Sequence, residues 1–190
     1  MMKPVAATIT TTQERTFETA RQIALVVGAS LFVALCARIT IPLPFTPVPL
    51  TVQNFGVLLV GLLLGSRRGF ATLALYLAEG AVGMPVFSAG HFGIGYLSGA
   101  TGGYLLMYPL VAALAGFVFE RGARSFTRAA IAGLLAEIAL FAGGVGWLFA
   151  MTHSLARAAY FGLYWFLAAE VMKVMFAAAI AVRWQGHKRA

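Results

Sequence analysis

The stretch from Arg128 to Ala150, RAAIAGLLAEIALFAGGVGWLFA, decides what kind of protein this is. After the opening arginine it holds a single ionisable residue, Glu137, among apolar and small side chains. A helix of about 20 such residues matches the hydrocarbon thickness of a bilayer, with roughly 17 to 25 tolerated. The same ruler finds further apolar runs at 21–40, 50–66, 69–87, 103–120 and 157–183, so six membrane-spanning segments are expected. The chain as a whole is 61% hydrophobic and 11% charged, with a mean hydropathy of +0.86. A soluble domain needs a far more polar surface than that. The fold class read from the sequence is therefore all-α: a polytopic integral membrane protein with six transmembrane helices.

The basic residues sort this span set by side. Lys3, Arg15 and Arg21 precede the first span, and Arg67 and Arg68 lie between the second and third. Arg121, Arg124 and Arg128 fall between the fourth and fifth, and Arg183, Lys188 and Arg189 close the chain. Only Arg38 and Arg157 fall in the opposite connections, a bias of eleven against two. Cytoplasmic loops carry the excess of Lys and Arg, so both termini are expected in the cytoplasm of a bacterial cytoplasmic membrane. The net charge of +8 is accounted for in this way and does not point to nucleic acid. Residues 1–20 read as a polar lead, disordered or interfacial, without the apolar core of a cleaved signal peptide. Residues 21–185 form the transmembrane domain, and 186–190 a basic cytoplasmic tail.

Two connections stand out. Pro42, Pro44, Pro47 and Pro49 crowd the entrance to the second span. Prolines so spaced lack the amide protons a helix interior needs, so residues 41–49 read as an ordered extended loop. Between the third and fourth spans, VFSAGHFGIGYLSGATGG (86–103) holds six glycines, too many for a stable helix interior. Phe87, Phe92 and Tyr96 argue against disorder, and the segment reads as a structured lid or re-entrant loop on the outer face.

Candidate site residues follow from cost. Glu170 and Lys173 lie inside the last span, three apart and hence on one helical face. Such residues pair or line a polar cavity: one reading is an interior ion pair joining helices, the other a polar anchor for a solute. Tyr160, Tyr164 and Trp165 just before them supply aromatic surface for an apolar ring system, or form an interfacial belt. His91 in the Gly-rich loop is an ordinary hydrogen-bonded residue or a ligand contact. Gln53 and Asn54 face the same cavity or cap the second helix. Glu79 and Glu137 are expected to pair inside the bundle or carry a proton, which keeps a proton-coupled secondary transporter as an alternative. Gly61, Gly65 and Gly69, and likewise Ala20, Ala24 and Gly28, recur at intervals of four and mark close helix packing.

Several functions lose support at this stage. One cysteine, Cys36, allows no internal disulfide or cysteine-based metal site. The three histidines show no ligand spacing and there is no Asp, so neither a metal centre nor a catalytic constellation is expected. No Gly-Lys-Ser/Thr element occurs, so the chain has no P-loop of its own.

The motif Pro44-Phe45-Thr46-Pro47-Val48-Pro49-Leu50-Thr51-Val52-Gln53-Asn54, followed by Gly61-Leu62-Leu63-Leu64-Gly65, resembles the first signature of the BioY family. These are the biotin-specific S components of energy-coupling-factor transporters. Gly83-Met84-Pro85-Val86-Phe87, with Gly99-Ala100-Thr101-Gly102-Gly103-Tyr104, is similar to the second. The resemblance runs in order over about residues 21–185 and implies capture of external biotin, with no cofactor beyond that transported ligand. It also implies partners: a transmembrane coupling subunit and two ATP-binding cassette ATPases. The family's Gly-Asp-x-x-Lys element corresponds to Ala169-Glu170-Val171-Met172-Lys173, with Glu for Asp and Ala for Gly. His91 stands where members can place Asn. The resemblance then implies that Glu170 accepts from the ureido N–H groups of biotin. Lys173 donates to the ureido carbonyl or neutralises Glu170, and His91 with Gln53 or Asn54 completes the polar set. Tyr104, Tyr160, Tyr164 and Trp165 would contact the ring and valeryl tail. An S component for another vitamin is the nearest alternative.

Overall fold

The computed structural model describes residues 5–187; Lys188 and Arg189, and with them most of the expected basic tail, lie outside the described residues, as does Lys3. Helix α1 runs Val5–Arg38, so the described part of the polar lead is helical and continuous with the first apolar run. Two short strands, β1 (Thr40–Ile41) and β2 (Leu50–Thr51), pair antiparallel and close residues 42–49 into a loop. The proline-rich segment is thus pinned at its neck by backbone pairing. That pairing delays α2 (Gln53–Leu64), which is three residues shorter at its start than the apolar pattern suggests.

Helix α3 (Ser66–Ala81) follows α2 almost without a linker. Gly65 makes the break with φ 83°, a left-handed conformation open to glycine, and a Cβ there would meet Glu120 Oε1 at 1.8 Å. Glu120 Oε2 accepts from the Ser66 amide, one of the orphan donors at the start of α3. The expected third span ends early because Gly83 (φ 106°) and Pro85 interrupt the helix.

The Gly-rich segment is built, not loose: a 3-10 turn at Ser88–Gly90 and the single-turn helix α4 (Ile94–Leu97) precede α5 (Gly102–Glu120). Helix α6 (Phe126–Thr152) is capped by the Ser125 side chain and ended by His153 in the left-handed region. The last apolar stretch is α7 (Leu155–Ala159), a π turn at Tyr160–Tyr164 and α8 (Leu167–His187), bent by 43° rather than one straight span.

By length and apolarity the Glu14–Arg38 part of α1, α5 and α6 can each cross a membrane, and the bent α7–α8 pair makes a fourth such segment. Helices α2 and α3, at 12 and 16 residues, are roughly 18 and 24 Å long and fall short of a bilayer core of about 30 Å. What holds this all-α bundle together is close backbone approach. A Cβ on Gly61 would lie 2.4 Å from Ala112 O, and one on Gly116 would lie 2.4 Å from Ser66 N. The Gly61 and Gly69 repeat is therefore internal packing against α5. The other repeat is different: Ala20, Ala24 and Gly28 lie exposed on α1, and a Cβ on Gly28 meets nothing within 4 Å.

Candidate functional site

A cavity opens where the proline-rich loop, the start of α2, the Gly-rich segment, α5 and α8 converge. Its wall includes Val48, Pro49, Gln53, Asn54, Ser88, Tyr96, Thr101, Tyr104, Tyr108, Phe166 and Glu170. Leu140 and Phe141 of α6 complete the wall, so six parts of the chain contribute to one small-molecule-like site, apolar and aromatic with a few polar groups.

Its polar corner is a four-residue network. Lys173 Nζ donates to Glu170 Oε1 at 2.7 Å, forming the ion pair that the three-residue spacing predicts. Asn54 Nδ2 donates to Glu170 Oε2 at 2.8 Å and to Glu137 Oε1 at 2.5 Å. Glu170 is 7% exposed and lines the cavity; Lys173 stands behind it, half-buried and outside the lining. The ion pair lies within α8, and Asn54 links it to α2 and on to Glu137 of α6, while the Glu170 side of the pair lines the cavity. Burial of the carboxylate is tolerable because a cation and an amide satisfy it.

Gln53 serves the scaffold more directly. Its Nε2 donates to Tyr76 Oη at 2.8 Å, and Tyr76 Oη donates to the Val86 carbonyl at 2.7 Å. This chain ties the start of α2 through α3 to the root of the Gly-rich segment. Tyr104 lines the cavity with its ring, while its hydroxyl donates to the Gly162 carbonyl in the π turn at 2.7 Å. Only glycine fits at 162, since a Cβ would lie 2.1 Å from that hydroxyl.

His91 is exposed and does not line this cavity. Its Nδ1 donates to the Ser88 carbonyl at 2.7 Å, and its ring stacks on Tyr96 with centroids 4.7 Å apart. Donation through Nδ1 leaves Nε2 as an acceptor in the neutral ring. His91 lines an adjoining space of about 350 Å³ under the proline-rich loop, which shares Pro49, Ser88 and Tyr96 with the first cavity.

Tyr160, Tyr164 and Trp165 are not brought to the cavity wall; they are 43%, 62% and 44% exposed. Trp165 packs instead on Phe45 of the proline-rich loop at 4.3 Å between centroids, with Tyr160 edge-on to it at 5.6 Å. Thr46 Oγ1 donates to the Phe161 carbonyl at 2.5 Å beside them. This aromatic group therefore latches the loop to the π turn. The sequence reading missed it because cross-chain stacking has no local signature.

It also missed Ser88, Thr101 and Tyr108 as cavity residues, and noted Tyr96 only as an ordering aromatic; of the run at 160–166 read as aromatic surface for a ring system, Phe166 is the residue that reaches the wall. Tyr108 was findable, since it follows Tyr104 by four and shares its helical face. Glu137 was expected to pair with Arg or Tyr groups inside the bundle or to carry a proton; its partner is Asn54, which no residue three or four away on α6 could reveal. Its counterpart Glu79 accepts from Ser30 Oγ on α1, the pairing within the bundle that its position demands.

A helical membrane bundle with a closed-in, partly aromatic cavity anchored by a buried ion pair belongs to the class of small-molecule-binding membrane proteins. The BioY family model matches residues 7–189, and the chain belongs to the BioY family. It is 34% identical over 169 residues to the probable biotin transporter BioY of Pyrococcus horikoshii, covering 88% of this chain and 98% of that one. It is 34% identical over 158 residues to the biotin transporter BioY of Thermotoga maritima, covering 83% and 93%. The fold matches the crystal structure of an S-component for biotin from an ECF-type ABC transporter with a TM-score of 0.81. That match is at 24% identity and covers 89% of this chain and 93% of the other.

Proposed function

We propose that this chain captures biotin at the outer face of the cytoplasmic membrane and is the substrate-binding S component of an ECF-type transporter. The observation that carries the reading is Glu170: a buried carboxylate on the wall of the cavity, held by Lys173 on one oxygen and Asn54 on the other. Each carboxylate oxygen accepts more than one hydrogen bond, so Glu170 keeps capacity for a ureido N–H. Family membership, the biotin transporters it resembles and the shared fold support the same assignment. The ring of biotin then lies against Tyr104, Tyr108 and Phe166. His91 offers Nε2 from the adjoining space, and Lys173 acts by fixing the charge of Glu170.

In this reading all six apolar segments cross, α2 and α3 as short helices whose ends are finished by the β1–β2 loop and the Gly-rich segment. Both termini are cytoplasmic. The absence of a P-loop from the sequence assigns ATP hydrolysis to partner subunits, and the exposed Ala20, Ala24 and Gly28 stripe is a smooth face on which a coupling subunit can seat. Calorimetry of the purified chain with biotin tests the core of the proposal. Stoichiometric binding that weakens at least tenfold in Glu170→Gln is the expected result; no heat from biotin, or parental affinity in the variant, refutes it. Biotin uptake driven by a pH gradient in vesicles without ATPase partners would favour the proton-coupled alternative.

A further inference from the structure

Asn54 presents an unusual distribution of hydrogen bonds. It is 4% exposed and lines the cavity. Its Nδ2 reaches two carboxylates from two different helices, Glu137 on α6 and Glu170 on α8. Its Oδ1 is buried with no partner among the described residues. The assignment of nitrogen and oxygen follows from chemistry: Glu170, paired with Lys173, is a carboxylate that only accepts, so the end of the amide it meets is the one with protons. The same nitrogen reaches Glu137 Oε1. Both protons are then engaged, the amide plane is fixed, and Oδ1 is left as an oriented acceptor. A buried polar atom without a partner is costly, so an unpaired acceptor on a residue that lines a cavity favours a ligand that brings a donor.

We propose that Glu137 is a positioning residue for ligand selection: with Glu170 it clamps the Asn54 amide so that Oδ1 accepts a second N–H of the ligand. This rests on the assignment of the cavity to biotin and deepens it. A cyclic urea carries two N–H donors flanking one carbonyl. Glu170 takes one donor and Asn54 Oδ1 the other, so the site selects for paired N–H groups. Glu137 itself is not on the cavity wall, and its second oxygen, Oε2, is buried without a partner among the described residues. It acts only through Asn54. The mechanism explains why an acid is present in the middle of an otherwise apolar α6 and on the face that meets α2.

The test uses the full chain in detergent, with biotin and two isosteric lactams in which one or the other ureido N–H is replaced by CH2. The parent is expected to bind both lactams at least tenfold more weakly than biotin. In Glu137→Leu and in Asn54→Ala the penalty for one lactam disappears while the penalty for the other persists. Glu137→Gln, which keeps an acceptor oxygen for Asn54 Nδ2, restores the lost discrimination. A general packing defect would weaken all three ligands together and would not distinguish the regioisomers. If Glu137→Leu retains both penalties, the clamp is wrong although the biotin assignment stands; if the parent does not bind biotin, both fall. Should Glu137→Leu not fold, side-chain amide exchange of 15N-labelled parent decides. Two protected Asn54 Nδ2 protons in the absence of biotin support the clamp, and a freely exchanging proton overturns it.

Discussion

At the scale of single residues, the chain gathers two buried acids, a lysine and an amide in one corner of the bundle. Glu170, Lys173, Asn54 and Glu137 come from three helices and are joined by hydrogen bonds and one ion pair. The two members of the ion pair do not have equal consequences when removed. Glu170→Gln keeps shape and a hydrogen-bonding oxygen, so it should cost binding and little stability. Lys173→Met leaves a buried carboxylate without its cation, a loss on the order of 3–5 kcal/mol for a fully buried pair and less here, because Lys173 is 14% exposed. The expected outcome is a lower thermal midpoint for Lys173→Met than for Glu170→Gln, read by fluorescence-detected unfolding in detergent. The ion pair was legible in the sequence because helix periodicity alone puts residues three apart on one face. The amide that joins it to Glu137 was not legible, since Asn54 lies 83 and 116 positions from its two partners.

At the scale of elements, glycine decides where helices meet and turn. Gly116 lets α5 approach the α2–α3 junction so closely that a Cβ would meet the Ser66 amide nitrogen at 2.4 Å and Gly61 O at 2.8 Å. Both obstacles are backbone and cannot rotate away. Gly116→Ala is therefore expected to destabilise by about 1–3 kcal/mol, lowering the yield of folded chain and its midpoint. The latch between the proline-rich loop and the π turn has a different signature. Thr46→Val removes the bond to the Phe161 carbonyl together with the one that Thr46 Oγ1 accepts from the Val48 amide at 3.1 Å, while residue 46 itself is not on the wall of the first cavity. Faster release of biotin, with a smaller change in its association rate, is expected by stopped-flow fluorescence. Prolines in 42–49 already announced an extended loop; that it closes on Trp165 and Phe161 depended on the bend between α7 and α8.

At the scale of the whole molecule, the distribution of charge and the fold make one statement about orientation. Arg67, Arg68 and Arg121 gather around a single space at one end of the bundle, while the β1–β2 loop and the Gly-rich segment border the cavity at the other. Cysteine scanning tests the proposed topology on a Cys36→Ser background. A cysteine at Ser98 should react with an impermeant maleimide in intact cells, and one at Arg124 only after lysis; both positions are exposed. The reverse pattern would invert the proposed orientation. Helices α2 and α3 show where composition misleads about length. The runs at 50–66 and 69–87 are apolar enough to span, yet strand pairing at Leu50–Thr51 and the break at Gly83 shorten both helices.

By itself the sequence determined the class of protein, the order of its apolar segments, the clustering of its basic residues in alternate connections and the pairing of Glu170 with Lys173. All of these depend on local composition or on spacing within one helix, and the bilayer enforces them by excluding unpaired polar groups. Only the tertiary structure decided which aromatics line the cavity and which latch a loop, that His91 stands in the adjoining space, and that Asn54 is held between two carboxylates. Those choices depend on contacts between helices distant in sequence. They are set by how closely glycines let backbones approach and by the need to satisfy every buried polar atom across the bundle.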